Sequence, residues 1–79
     1  MKHDIPLSVK VTDSLETYFR DLEGNFPRDL YQMVMTEVEG PLFKVLMKYV
    51  RNNQSKAAEI LGVSRGTLRK KLKQYSLDK

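Results

Sequence analysis

The stretch from about Asp29 to Arg51 constrains the fold of this chain most, because its apolar residues recur with a helical period on two sides rather than one. Leu30, Val34, Val38, Val45 and Tyr49 form one line, and Tyr31, Met35, Leu42, Leu46 and Val50 form another. A helix apolar on two sides must be covered on two sides, and a chain of 79 residues has few elements to do it with. The pattern predicts that this helix lies at the centre of a homodimer, crossing its copy while holding helices of its own chain. Pro41, after Gly40, removes one backbone donor and crowds the preceding turn. The apolar lines resume in phase beyond it, so a kinked single helix is expected rather than two. Glu37 and Glu39, two residues apart, fall on different sides of such a helix. They read as solvated or dimer-pairing charges rather than as a catalytic carboxylate pair.

Ahead of the long helix, Leu7, Val11, Leu15, Tyr18, Phe19 and Leu22 share one helical face, which Gly24, Asn25 and Pro27 bring to an end. This helix begins at Leu7 or, where Asp13 and Glu16 make a capping box, at Asp13. The later start divides the chain into an arm of disordered or variable structure over residues 1–12, a helical dimerisation core over 13–51 and a helix-turn-helix region over 52–79.

Composition removes most chemistry. The absence of cysteine excludes disulfides and thiolate metal sites and fits a reducing compartment. No apolar run approaches the roughly 20 residues of a membrane-spanning helix, so a soluble, intracellular chain is expected. The single histidine, His3, supports neither a nucleophile relay nor a metal cluster, and no glycine-rich phosphate loop is present. Met33, Met35 and Met47 are spaced as core or interface filler. The chain therefore reads as no enzyme, with no cofactor, metal or small-molecule substrate.

Charge, in contrast, is organised. Residues 1–50 hold six Lys/Arg against eight Asp/Glu, a net of −2; residues 51–79 hold eight against two, a net of +6, and together these give the +4 of the chain. A weakly acidic scaffold carrying a basic module is the electrostatic footprint of a nucleic-acid ligand, although charge alone suits an anionic membrane surface equally.

The spacing within the basic module resolves that choice. Asn52 or Asn53 can cap a helix over Gln54 to Leu61, with Ala57, Ala58, Ile60 and Leu61 available for packing. Gly62 suits the left-handed residue that ends it, Val63 plugs the corner, and Ser64 caps a second helix running to about Tyr75. A small residue at 58, the glycine and an aliphatic at 68 let two helices cross closely: helix, tight turn, helix. On the second helix Leu68, Leu72 and Tyr75 face inward, Lys70 and Lys73 lie opposite, and Thr67 and Arg69 flank them. Arg65 in the first turn is the candidate for bidentate contact with guanine O6 and N7. Lys70, Lys71 and Lys73 are candidates for phosphate contact, and Ser64 and Thr67 serve as caps, as phosphate ligands or as both. Gly66 permits close approach, either of DNA or of a neighbouring helix. A membrane-surface helix needs a broad apolar face, whereas these three inward residues are already used by the turn. RNA readers favour exposed aromatics, which this face lacks.

Residues Gly62 to Tyr75 (GVSRGTLRKKLKQY), with EVEGPL at 37–42 and NNQSKAAEILG at 52–62, resemble the bacterial Fis family. The likeness extends from about Leu7 to Tyr75. The C-terminal motif alone is also similar to the DNA-binding domains of NtrC-type activators, but the proline-bearing long helix favours Fis. The resemblance implies an all-α, four-helix subunit in an intertwined homodimer, whose paired recognition helices lie too close together for straight DNA and so bend it. It further implies roles in nucleoid organisation, transcription regulation and site-specific recombination, in the cytoplasm with the nucleoid. Family contacts carry over to Asn53, Gln54, Arg65, Thr67, Arg69, Lys70 and Lys73, and to Ser55 and Lys56 where better-known members have Thr and Arg. Ser64 stands where the family typically has Asn, which implies looser base discrimination beside Arg65. The family's mobile N-terminal hairpin, which activates DNA invertases, needs residues that do not precede Leu7 here, while its polymerase-contacting turn maps near Arg51 and Asn52. The expectation is a homodimer that binds and bends duplex DNA with low sequence specificity. The alternative is a helical dimerisation or adaptor module for a recombinase or RNA polymerase, with DNA secondary.

Overall fold

A computed structural model describes residues 6–78, which form four helices and no strand among the described residues: α1 (Leu7–Asp21), α2 (Leu30–Tyr49), α3 (Gln54–Leu61) and α4 (Arg65–Gln74). The all-α, four-helix class expected from sequence is what the chain adopts. Residues 1–5, including His3 and the start of the expected arm, lie outside the described residues.

The chain divides into two compact units, residues 1–30 and 31–79. In the first, α1 starts at Leu7 with Pro6 as its extended N-cap. Asp13 and Glu16 are therefore interior helical residues, and the arm does not extend to residue 12. Proline fits this position because its fixed φ and missing N–H suit a helix start, where the donor has no intrahelical partner anyway. Val11, Leu15, Tyr18 and Leu22 are half-buried, Leu7 and Phe19 exposed, and the rings of Tyr18 and Phe19 meet edge to face at 5.8 Å.

In the second unit α2 runs unbroken through Pro41, as a single helix was expected to do. Its core face is Phe43 and Met47, joined by Leu46 and Val50. Phe43 and Met47 belong to neither apolar line read from sequence. Around them the helix is apolar on nearly every side, so periodicity alone does not select which side turns inward. These residues pack with Ala57 and Ala58 of α3 and with Leu68 and Leu72 of α4, while Leu61, Tyr75 and Leu77 close the edges. Ala57, Leu68 and Leu72 are fully buried. Two alanines on α3 let the short helix approach α4 closely, and the leucines fill the angle between them.

The three helices of this unit end with the same device, an N–H reaching back five residues to the last free carbonyl turn. Asn52 donates to Met47 O at 2.8 Å, Val63 to Ala58 O at 3.1 Å and Leu77 to Leu72 O at 2.7 Å. Each requires a left-handed residue, supplied by Arg51 (φ 55°), Gly62 (φ 77°) and Ser76 (φ 58°). Val63 does not plug the corner as the sequence suggested: it is 39% exposed, and its contribution to the turn is its backbone N–H. Ile60, also expected to pack, is exposed.

Candidate nucleic-acid interface

Two capping side chains set the elements of the site. The Oδ1 of Asn53 accepts the N–H of Lys56 at 3.1 Å and starts α3. The Oγ of Ser64 accepts the N–H of Thr67 at 3.1 Å and starts α4. Each satisfies one of the donors that a helix start leaves free. The Ser64 hydroxyl also donates to Thr67 Oγ1 at 3.0 Å. With its oxygen accepting that bond, the Thr67 hydroxyl keeps its own proton to donate, and a phosphate oxygen is one acceptor able to take it.

Burial of Leu68 and Leu72 then fixes the rotation of α4. With these two inside, Gly66, Arg69, Lys70 and Lys73, spaced i, i+3, i+4 and i+7, make one outward stripe roughly 100° wide. All four are exposed. Together with Gln54 at the start of α3 and Asp78 beyond α4 they line a shallow cleft of about 430 Å³. Arg65 and Thr67 stand on either side of Gly66 in the first turn of α4, and Ser55 and Lys56 are exposed in the first turn of α3. The first turns of both helices and one face of α4 thus form a positively charged surface across the helix-turn-helix. Such an arrangement can present cations to a phosphate backbone while one side chain, Arg65, reaches a base edge.

Lys71 differs from the other expected cations in having a partner within the chain. Its ammonium pairs with Glu39 Oε1 of α2 at 3.2 Å, and the Tyr75 hydroxyl donates to the same oxygen at 2.6 Å. On α4, Lys71 sits between the outward stripe and the leucine face, which directs it towards α2. Glu39, read from sequence as a solvated or dimer-pairing charge, lies on the same side of α2 as Phe43 and finds two partners within its own chain. Glu37 is exposed. The hydrogen bond from Tyr75, reinforced by Lys71, holds the Glu39 carboxyl below its ordinary range against the opposing effect of desolvation. The same bond, with desolvation and the negative charge of Glu39, pushes the Tyr75 phenol upward. Tyr75 also rests against Phe43, ring centroids 6.0 Å apart. It is a packing residue with a polar tip rather than a base-stacking platform. Sequence reasoning missed this link between α2 and α4, because the register of Glu39 with Phe43 points inward only once Phe43 is known to face the core.

No helix of the described residues is long and apolar enough to cross a membrane. The model of the family described as bacterial regulatory protein, Fis family, matches residues 34–75. Similar proteins include the DNA-binding protein Fis of Proteus mirabilis (strain HI4320), 48% identical over 73 residues, which are 92% of this chain and 74% of that protein. The DNA-binding protein Fis of Escherichia coli O1:K1 / APEC shows the same identity and coverage. The putative Fis-like DNA-binding protein of Ralstonia nicotianae (strain ATCC BAA-1114 / GMI1000) is 49% identical over 72 residues, 91% of this chain and 94% of that protein.

Proposed function

We propose that this chain, which belongs to the Fis family of bacterial regulatory proteins, is a homodimeric helix-turn-helix protein that binds duplex DNA with low sequence preference and bends it. The observation that carries the reading is the outward cationic stripe of α4, aimed by Leu68 and Leu72 and continuous with the first turns of both helices. Arg65 is the base reader, at the end of α4 that enters a major groove. Asn53, Gln54, Ser55, Lys56, Ser64, Thr67, Arg69, Lys70 and Lys73 are the backbone contacts, from both helices of the motif. One base-reading arginine among so many backbone contacts gives affinity with little sequence discrimination.

A second surface supports the homodimer. Tyr31, Val38, Leu42, Val45 and Tyr49 are all exposed on α2, with Val45 at 65% and Tyr49 at 79%. At 3.6 residues per turn they fall within roughly 60° of one another, along about 27 Å of helix, and about 150° away from the Phe43 and Met47 face. An apolar stripe of that length on a single chain is the surface a self-complementary partner covers. Pairing of two copies would set two recognition helices on one face of a duplex, and the family's close spacing of those helices is the basis for the proposed bend. Roles in nucleoid organisation, transcription regulation and site-specific recombination follow from bending, with the protein held in the cytoplasm on the nucleoid. RNA polymerase or a recombinase is then a partner met on DNA.

The test is a gel-shift titration on duplex DNA over a range of salt. Each neutralised phosphate contributes about −0.9 to the log-log slope, so two modules predict a slope of about −5 or steeper. A slope near zero would refute the reading. Arg65→Ala should weaken preferred sites by about 1–3 kcal/mol and flatten sequence preference; unchanged preference would remove Arg65 as the base reader.

A further inference from the structure

Gly66 has no use inside the protein. It lies within α4, and only Gly24 and Gly62 among the glycines have positive φ, so no left-handed backbone calls for glycine there. A Cβ built at Gly66 would meet one atom within 4 Å, Ser64 Oγ at 3.9 Å, and nothing from α2 or α3. Gly40 shows the contrast, since a Cβ there would touch the Tyr75 ring at 3.7 Å. Close packing of α4 on a neighbouring helix is therefore not what Gly66 permits. Glycine in a helix nevertheless costs stability relative to alanine. Its place is on the outward stripe, one turn ahead of Arg69 and Lys70 and two turns ahead of Lys73, in the wall of the cleft that these residues share with Gln54.

Resting on the DNA-binding reading above, we infer that Gly66 is the point of closest main-chain approach between α4 and duplex DNA. The missing side chain lets the first turn of α4 sink against the sugar-phosphate wall of the groove. Arg65 thereby reaches base edges, and the longer cations of the stripe straddle the strand. Gly66 is thus a positioning residue for binding, although it offers no side-chain contact of its own.

The experiment combines thermal unfolding with DNA titration on wild type, Gly66→Ala and Gly66→Leu. Gly66→Ala should unfold about 4 °C higher at equal protein concentration, because a helix former replaces glycine where nothing obstructs it. Its affinity for duplex DNA should nonetheless fall about tenfold, the scale of one lost direct contact, and Gly66→Leu should bind more weakly again. The salt slope of both variants should equal that of wild type, since no cation has been removed. Wild-type affinity in the more stable Gly66→Ala protein would overturn the inference. So would a fall in its unfolding midpoint, which would show that the fold itself requires the glycine. Failure of wild type to bind duplex DNA, or binding without salt dependence, would instead refute the DNA-binding reading on which the inference stands.

Discussion

Two lysines two residues apart on α4 should behave differently when removed. Lys73 is exposed on the outward stripe and lines the cleft, whereas the Lys71 ammonium is held by Glu39 at 3.2 Å with its side chain 35% exposed. If Lys73 neutralises one phosphate in each protomer, Lys73→Ala should make the log-log salt slope of a dimer shallower by about 1.8, twice the 0.9 of a single phosphate. Salt raised from about 50 to 200 mM spans 0.6 in the logarithm, so the ratio of wild-type to variant affinity should change by about 12-fold across that range. Lys71→Ala should leave the slope within about 0.3 of wild type, because its charge is already committed. Its effect should appear as a loss of at most about 1 kcal/mol of stability, the scale of a partly exposed ion pair. Fluorescence anisotropy on a short duplex at four or five salt concentrations gives both slopes. Equal slope changes in the two variants would refute the division of the lysines, and a larger change in Lys71→Ala would reverse it.

Three further perturbations probe the fold that supports this surface. Gly62→Ala should destabilise by about 1 kcal/mol, because a left-handed L-residue costs about 1–2 kcal/mol and the stiffer unfolded chain returns part of it; a Cβ there would meet nothing within 4 Å, so a thermal melt at fixed concentration reads backbone strain alone, and no loss would show that φ 77° is not enforced. The lowered Glu39 carboxyl contributes stability that is present above the ordinary carboxylate range and lost as pH falls through its folded value, while the raised Tyr75 phenol contributes stability lost as pH rises through its own. Unfolding midpoints measured against pH should therefore drop at both ends, and Tyr75→Phe should remove the alkaline limb and shallow the acid one; an unaltered profile would show that the pair contributes nothing. Val45→Asp places a charge in the exposed apolar stripe of α2, and sedimentation should show dissociation to monomers at concentrations where wild type is dimeric; a variant that stays dimeric would move the interface elsewhere.

The parts of the fold that were legible in the sequence are those where one residue type has one backbone solution. Gly62 between two short amphipathic runs, with Asn53 and Ser64 at the cap positions, specifies α3, turn and α4 almost to the residue. Leu68 and Leu72 on an otherwise polar helix leave only one face to bury, which is why Lys70 and Lys73 opposite them read as outward from sequence alone. Where that uniqueness fails, so does the reading. From Leu42 to Met47 five of the six residues are apolar, Lys44 being the exception, so the core side of α2 is selected by packing against α3 and α4 rather than by period. Asp13 with Glu16 satisfies the pattern of a capping box, but Pro6 suits a helix start as well, and the helix takes the earlier one. Lys71 read as one more cation of a basic run because its partner, Glu39, stands 32 residues away in sequence. Long-range pairs of this kind carry no local pattern.

The most direct test of the proposed function is a circular-permutation gel shift with the intact chain, in which one binding site is moved along fragments of equal length. A bend makes mobility depend on the position of the site, slowest when it is central. A bending homodimer predicts that position dependence for wild type, with the complex migrating as two chains per duplex and weakening steeply with salt. Complexes that migrate equally whatever the position of the site, or that contain a single chain, would contradict a homodimer that bends the DNA it binds.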